Sequence, residues 1–341
     1  MISALLPVRD GAACLDTALE SLYSQQLRPD ECVVVDDGSL DATAAILETW
    51  SRRWNGLRVV RTPGVGVARA LNAGLEHCQG DWIARMDADD RARPERLARQ
   101  LATARESGAT LVGCEVTHWV QGDDSAFRGM RRHIDWANGL HSHDELENAL
   151  WIDSPLPHPG WLVTKKSYEA VGCYDESGKL PEDYEWLHRF FAAARKSNGL
   201  RATKVAGIAL LDWAESPTRL TRASDYCTED AFNTVKARAL RGLLAGRTPD
   251  IFVFGLGPKG RAMVPKLREV LGPLRAIVDV SVKKTGRDFQ GTAVWEIKRW
   301  AETPAQDPFV IICLGTPETR QAAVGLCVQH GLAPIQQFIA L

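Results

Sequence analysis

Val33-Val34-Val35-Asp36-Asp37-Gly38-Ser39 is an apolar run that stops on two carboxylates and a turn dipeptide. Trp82-Ile83-Ala84-Arg85-Met86-Asp87-Ala88-Asp89-Asp90 repeats the pattern with three acids. Each reads as a short buried strand loaded with acid at its carboxyl end. In an open α/β sheet the ligand crevice lies outside the carboxyl ends of the strands, so both clusters are expected to face one pocket. Carboxylates gathered there repel one another unless a cation joins them. A hard divalent ion, Mg²⁺ or Mn²⁺, takes such oxygen ligands together with substrate phosphates. Taken singly, Asp37-Gly38 is a common turn dipeptide, and Arg91 and Arg93 beside the second cluster fit an ordinary solvated loop.

Working outward from these stretches, the first 116 residues alternate between two periodicities. Ile2 to Leu6, Glu31 to Val35, Leu57 to Arg61, Asp81 to Met86 and Thr110 to Glu115 are short apolar runs, expected as strands. Cys14 to Leu27, Asp41 to Trp54, Val65 to Cys78 and Pro94 to Ser107 carry apolar residues at helical spacing, with Asp41 as an N-cap and Pro94 at a first helical position. Repeated βα units imply a largely parallel sheet covered on both faces. From 117 to 160 the alternation gives way to Trp-, His-, Gly- and Asp-rich sequence, the kind of insertion that carries specificity on a regular scaffold. A strand is expected at 160–164, a helix at 183–195, a strand at 205–213 and a long helix at 224–245, with Gly246-Arg247-Thr248-Pro249 as linker.

At 341 residues the chain exceeds what one core usually holds, and two domains are expected, 1–245 and 246–341. Lys and Arg number 41 against 43 Asp and Glu, a formal net charge of -2, which offers no global attraction to nucleic acid or anionic lipid. Eight scattered cysteines form no C-x-x-C pair and no zinc-like spacing with histidine, and read as reduced thiols of a cytoplasmic protein. No stretch approaches the ~20 apolar residues of a membrane span, so contact with the inner face of a membrane is expected to be peripheral at most.

Further motifs come in a telling order. Pro7-Val8-Arg9-Asp10-Gly11 follows the first strand, the first acid cluster ends the second, and Gly64-x-Gly66-x-x-x-Arg69-x-x-Asn72-x-Gly74 opens a helix before the second cluster. Later come His158-Pro159-Gly160, Gly172-Cys173-Tyr174-Asp175-Glu176 and Pro181-Glu182-Asp183-Tyr184-Glu185-Trp186. Over residues 1 to 225 this succession resembles glycosyltransferase family 2, the inverting, nucleotide-sugar-dependent enzymes of GT-A fold. The resemblance implies a mixed, mainly parallel sheet sandwiched by helices, with 1–116 as the nucleotide-sugar half and 117–245 as the acceptor half. It implies that Pro7, Arg9, Asp36 and Asp37 lie at the nucleoside base, Arg69 near the nucleotide and Asp87 at the ribose. Asp89 would ligate Mn²⁺ or Mg²⁺ on the donor diphosphate. Asp183 would be the catalytic base, with Glu182 as its neighbour, the plain alternative being a helix cap; His158, between two prolines, either shapes a loop or contacts the acceptor, and Arg219 or Arg222 either closes over the diphosphate or is an ordinary surface arginine. At Arg9 the chain departs from the many members that carry a base-stacking aromatic, although a guanidinium also stacks. The partners implied are a nucleoside-diphosphate sugar, a UDP-sugar first of all, and a saccharide or glycolipid acceptor in surface polysaccharide synthesis.

The last hundred residues begin again as α/β: Ile251-Phe252-Val253-Phe254 runs into Gly255-x-Gly257-x-x-Gly260, then a helix, then a strand containing Asp279. Strand, glycine turn, helix and late acid are the order of a nucleotide crevice, here long enough for half a dinucleotide site. With Lys283-Lys284-x-Gly286 the segment also resembles the small Rossmann-like domains attached to sugar-modifying acetyltransferases, which bind nucleotide-sugars. Two further classes stay open at this point: a nucleotide-sugar-binding module with an inactive transferase domain, and an NAD(P)-linked oxidoreductase working through the C-terminal domain.

Overall fold

The computed structural model describes residues 1–120, 128–197, 199–215, 224 and 226–341. The described residues divide into two compact units, Met1–Leu146 with Ser154–Cys227, and Glu147–Asp153 with Thr228–Leu341.

The first unit opens with β1 (Ile2–Val8), α1 (Leu15–Tyr23), β2 (Glu31–Asp37), α2 (Thr43–Arg53), β3 (Leu57–Thr62), α3 (Val67–His77) and β4 (Trp82–Arg85). Every residue of β2 is buried, as expected of an interior parallel strand covered on both faces. On α1, Leu15, Ala18, Leu19 and Leu22 recur at helical spacing and are wholly buried. The chain continues with β5 (Arg91–Ala92), α4 (Arg96–Ser107), β6 (Leu111–Val120), α5 (Arg128–Asn138), α6 (His143–Leu150, counted with the second unit from Glu147), β7 (Leu162–Thr164), α7 (Lys165–Val171), α8 (Glu182–Ala194) and β8 (Ala202–Glu215). One eight-stranded sheet runs β3-β2-β1-β4-β7-β6-β8-β5. Its first four strands are mutually parallel, and β7 enters antiparallel to both β4 and β6. The expected mixed, mainly parallel sheet is therefore present. Two local starts differ from the sequence reading. Helix α2 is capped from Ala42, although Asp41 Oδ1 still accepts the Thr43 amide at 2.9 Å, and α4 begins at Arg96 instead of Pro94.

The second unit contains α9 (Glu229–Leu243), β9 (Asp250–Phe254), α10 (Pro258–Leu271), β10 (Ala276–Val278), β11 (Asp288–Phe289), β12 (Thr292–Trp295), α11 (Ile297–Glu302), β13 (Pro308–Ile312), α12 (Pro317–Gln329) and β14 (Phe338–Ala340). Its sheet runs β11-β12-β10-β9-β13-β14, parallel except for the β11–β12 edge hairpin. The chain leaves β9 toward β10 on one side and returns to β13 on the other, which makes the β9/β13 junction a topological switch point. The division between units falls after Cys227, whereas the sequence reading put it after residue 245. The reason is packing: Ala237, Leu240 and Leu244 are buried in one cluster with Ile251, Val264 and Leu267. Thr228 caps α9 by accepting the Ala231 amide, and Glu229 and Asp230 sit in its first turn, where the helix dipole favours acids.

In the glycine turn after β9, Gly255 and Gly260 are required by close packing. Gly255 has φ +98, and a Cβ on Gly260 would stand 2.0 Å from the Gly255 carbonyl oxygen, whereas a Cβ on Gly257 would enter open space. Gly260→Ala is therefore expected to destabilise the second unit by about 3 kcal/mol or more through overpacking against backbone. Gly257→Ala, which loses only a favourable cap residue, should stay within about 1 kcal/mol. Urea unfolding of the two variants measures the difference, and equal midpoints would refute the packing account.

Candidate active site

Because β2, β1 and β4 lie side by side and parallel, the loops that follow them open on one edge of the sheet. Asp36 Oδ1 accepts the Ser39 amide at 3.0 Å and closes the turn after β2. Asp37 reaches across to the loop after β3. Its Oδ1 accepts the Thr62 hydroxyl at 2.6 Å and the Val65 amide at 2.7 Å, and its Oδ2 accepts the Gly66 amide at 2.8 Å. Gly66 begins α3 at φ +91, a conformation that only glycine adopts readily. Burial alone would raise the Asp37 carboxyl. The Thr62 hydroxyl, the two amides and the Arg9 charge overcome that and hold it below the usual carboxylate range. Arg9 lies over the same loop, its Nη1 3.5 Å from where a Cβ on Gly64 would be, and half-buried Pro7 pairs with Val35 in the sheet.

Helix α3 links this edge to the later motifs. Arg69, more than half exposed, faces Glu176 at 3.7 Å, and Asn72 Nδ2 donates to the same carboxylate at 2.9 Å. Asn72 also donates to the Tyr174 carbonyl and accepts the Tyr174 amide, both at 2.9 Å. A single amide side chain thus fastens the segment 174–176 to a helix about a hundred residues earlier.

After β4, carboxylate oxygens of Asp87, Asp89 and Asp90 all lie within 4.8 Å of one another. Arg91 and Arg93 do not neutralise them. Both guanidinia turn to Asp212 on β8, Arg91 through Nε at 2.7 Å and Arg93 through Nη2 at 2.9 Å, so the solvated-loop reading loses its cations. Asp90 is buried, and its Oδ1 accepts the Ala214 amide at 2.7 Å. Gly11 brings the loop after β1 against Ala88, and Cys14 lies close enough to feel the acids: burial first, then the charges of Asp89, Asp41 and Asp90, push its thiol up to about 11. This is the oxygen-donor set that suits a hard divalent cation.

Beneath the cluster lies Arg85, the last residue of β4, only 2% exposed and paired with Asp87. Its charge also reaches Glu182 and Asp183, which open α8. Asp183 does not cap that helix; Pro181 occupies the cap position, and Asp183 Oδ1 accepts the Tyr184 amide at 2.7 Å. Burial raises the carboxyls of both Glu182 and Asp183. The neighbouring Asp183 charge raises Glu182 further, and the Asp87 charge adds to both, against the lowering effect of Arg85.

His158 is 5% exposed, with Nε2 2.9 Å from the Tyr174 hydroxyl and Nδ1 3.9 Å from Glu182 Oε1. The Tyr174 hydroxyl is in turn 2.9 Å from that of Tyr168. Burial and the Arg85 charge lower the imidazole well below its ordinary value, so it is neutral at pH 7. The sequence left a loop-shaping role and an acceptor contact both open for His158, and the structure places it buried against Tyr174. Arg219 and Arg222 lie outside the described residues.

In the second unit Asp279 is spent on its own surroundings. Oδ2 accepts the Leu256 amide at 2.7 Å and the Lys284 ammonium at 3.0 Å, and Oδ1 accepts the Ser281 amide at 2.8 Å. The structural clamps Asn72, Arg85, Asp90 and Asp212 received no role in the sequence reading. For Arg85 a signal exists, a lone arginine inside the apolar run 82–86.

Residues 3–172 match the family described as Glycosyl transferase family 2. The chain carries a family 2 glycosyltransferase domain. The matched residues of the glycosyltransferase domain include Asp37 and Asp87 to Asp90 and end before Glu182 and Asp183. The amylovoran biosynthesis glycosyltransferase AmsE of Erwinia amylovora is 32% identical over 179 residues, 51% of this chain and 62% of that protein. The UDP-Gal:alpha-D-GlcNAc-diphosphoundecaprenol beta-1,3-galactosyltransferase of Escherichia coli is 27% identical over 188 residues, 53% of this chain and 63% of that protein. In both cases the matched stretch spans less than two thirds of the relative. The crystal structure of S. aureus TarS 1-349 in complex with UDP-GlcNAc superposes with a TM-score of 0.55 at 18% identity, covering 80% of this chain and 73% of that one, and confirms the GT-A type of α/β fold.

The raised carboxyls have a stability consequence. Between an unfolded value of ~4.3 and its raised folded value, Glu182 holds its proton in the folded chain and loses it in the unfolded one, so its contribution to stability falls as pH rises. Glu182→Gln, which keeps the shape without the charge, should raise Tm over the unaltered protein at pH 8 and lose that advantage near pH 4. A gain that does not change with pH would exclude the buried-carboxylate account.

Proposed function

We propose that the first unit transfers a sugar from a nucleoside-diphosphate sugar, a UDP-sugar first, to a hydroxyl of a saccharide or lipid-linked saccharide acceptor, with inversion at the anomeric carbon. The observation that carries this reading is Arg85. One buried guanidinium joins the Asp87–Asp90 cluster to the Glu182–Asp183 pair, so a cation-binding acid set and a pair of raised carboxyls share one electrostatic site. Family membership and the E. coli relative, whose name specifies a UDP-sugar donor and a diphosphoundecaprenol-linked acceptor, support the choice of substrates.

In this reading the nucleoside lies against Arg9 and the loop that Asp37 holds, with Asp36 fixing the adjoining turn and Arg69 at the nucleotide's flank. Asp89, with Asp87 and Asp90, would hold Mn²⁺ or Mg²⁺, which when bound supplies positive charge for the diphosphate leaving group. Asp183 takes the proton of the acceptor hydroxyl as that oxygen attacks the anomeric carbon from the side opposite the diphosphate. Arg85 limits how far the surrounding acids raise the Asp183 pKa, and Asn72 keeps the acceptor-side segment 174–176 in register with the nucleotide-side helix.

Asp183→Asn should lower kcat by about 10²- to 10⁴-fold and leave nucleoside-diphosphate affinity unchanged. Because Asp183 must be unprotonated to act, kcat should rise with pH through an acid limb above the ~3.9 of a free aspartate. Near-native transfer by the Asn variant would remove Asp183 from the reaction. Isothermal titration of Asp89→Ala with UDP should show weakened binding when Mn²⁺ is present and no change when it is absent; equal affinities in Mn²⁺ would remove Asp89 from the cation site.

A further inference from the structure

The second unit contains a cationic cleft for which the transfer reaction has no use. Lys236 comes from the middle of α9 and is 5% exposed, yet its ammonium makes one hydrogen bond, to the Ile152 carbonyl at 2.9 Å, out of the three it can donate. Lys259 stands in the first turn of α10, directly after β9, and Arg320 in the first turn of α12, directly after β13. Among the described residues neither of these two side chains has a hydrogen bond or an ion pair, and Arg320 Nε is buried with no acceptor. Lys236 and Lys259 line one open cleft of about 330 Å³ together with Asn233, Phe232, Asp153 and Glu229.

Two features make this cleft more than a patch of surface lysines. First, β9 and β13 flank the switch point of the sheet, where the helices that follow adjacent strands diverge and leave a crevice at the carboxyl ends. Second, the charges are poorly compensated. Burial, then the charges of Lys259 and Arg320, pull Lys236 down to about 8 against the opposing effect of Asp153, and burial followed by Arg320 lowers Lys259. Three cations face two carboxylates, Asp153 and Glu229, of which Glu229 is exposed at the start of α9. Holding like charges together in a partly buried place costs free energy that an anion would return.

We propose that this cleft binds a small phosphorylated molecule, its phosphate oxygens taking the free donors of Lys236, Lys259 and Arg320. A phosphate offers several charged acceptors in a compact group, which matches two lysines lining the cleft and an arginine whose charge acts on both. The volume lies at the lower end of small-molecule sites, about 300 to 1,000 Å³, and fits a sugar phosphate or a mononucleotide better than a macromolecule. Asp279 takes no part, since its oxygens are occupied by Leu256, Ser281 and Lys284.

The test uses the full chain in EDTA, so that cation-dependent binding in the first unit is silent, with inorganic pyrophosphate as probe. At pH 8 an amine-acylating reagent should modify Lys236 and Lys259, and saturating pyrophosphate should slow both at least about fivefold while leaving exposed Lys298 unaffected. Lys259→Gln and Arg320→Gln, neither at a fully buried position, should each weaken pyrophosphate binding by about tenfold in calorimetry, the loss expected for one charge-assisted hydrogen bond. Asp89→Ala should leave that binding intact, which separates this cleft from the transferase site. Absence of protection at millimolar pyrophosphate, or unchanged affinity in both variants, overturns the proposal. Comparing phosphate with UMP then tells whether the organic portion of the ligand is also held.

Discussion

Repulsion among carboxylates is the constraint around which the first unit is arranged. Asp87, Asp89 and Asp90 crowd the end of β4, and Glu182 and Asp183 stand at the start of α8 within electrostatic reach of Asp87. Such a group is stable only if something holds the chain in place against it. Arg85 is that counterweight: buried at the base of the cluster, paired with Asp87 and felt by both acids of α8. Arg91 and Arg93, the nearest cations in sequence, pair instead with Asp212.

A second layer of polar clamps sets geometry in place of charge. Asp37 fixes the loop 64–66, Asn72 fixes the segment 174–176, and His158 holds the Tyr174 hydroxyl. Each clamp joins elements far apart in sequence, and each is satisfied by short hydrogen bonds in a buried or half-buried place, where leaving a partner unmade costs about 1–3 kcal/mol. The second unit inverts the sign. There the close approach of glycine turn and helix builds a sheet whose switch point gathers lysines and an arginine, with the carboxylate of Asp279 used up in holding the turn.

Much of the scaffold was legible in one dimension. The runs at 2–6, 31–35, 57–61 and 81–86 became β1 to β4 because interior parallel strands must be continuously apolar, and the helices between them followed from 3.6-residue spacing. The boundary of the second unit was not legible, since Ala237, Leu240 and Leu244 give the same amphipathic signal whichever core receives them. Arg91 and Arg93 misled for a related reason: their nearest charges in sequence are the acids before them, while their partner is 119 to 121 residues away. His158 between two prolines carried no mark of burial.

The sequence by itself determined the βα order, the acid-loaded strand ends and the succession of motifs, because periodicity, turn chemistry and spacing are local properties of the chain. Tertiary structure alone decided which charges neutralise one another. It gave Asp212 two arginines, paired buried Arg85 with Asp87, turned both oxygens of Asp37 onto a loop, and brought Lys236 and Lys259 from two helices to one cleft within reach of the Arg320 charge. Electrostatic interaction depends on distance through space and on burial, and neither is written in the spacing of residues along the chain.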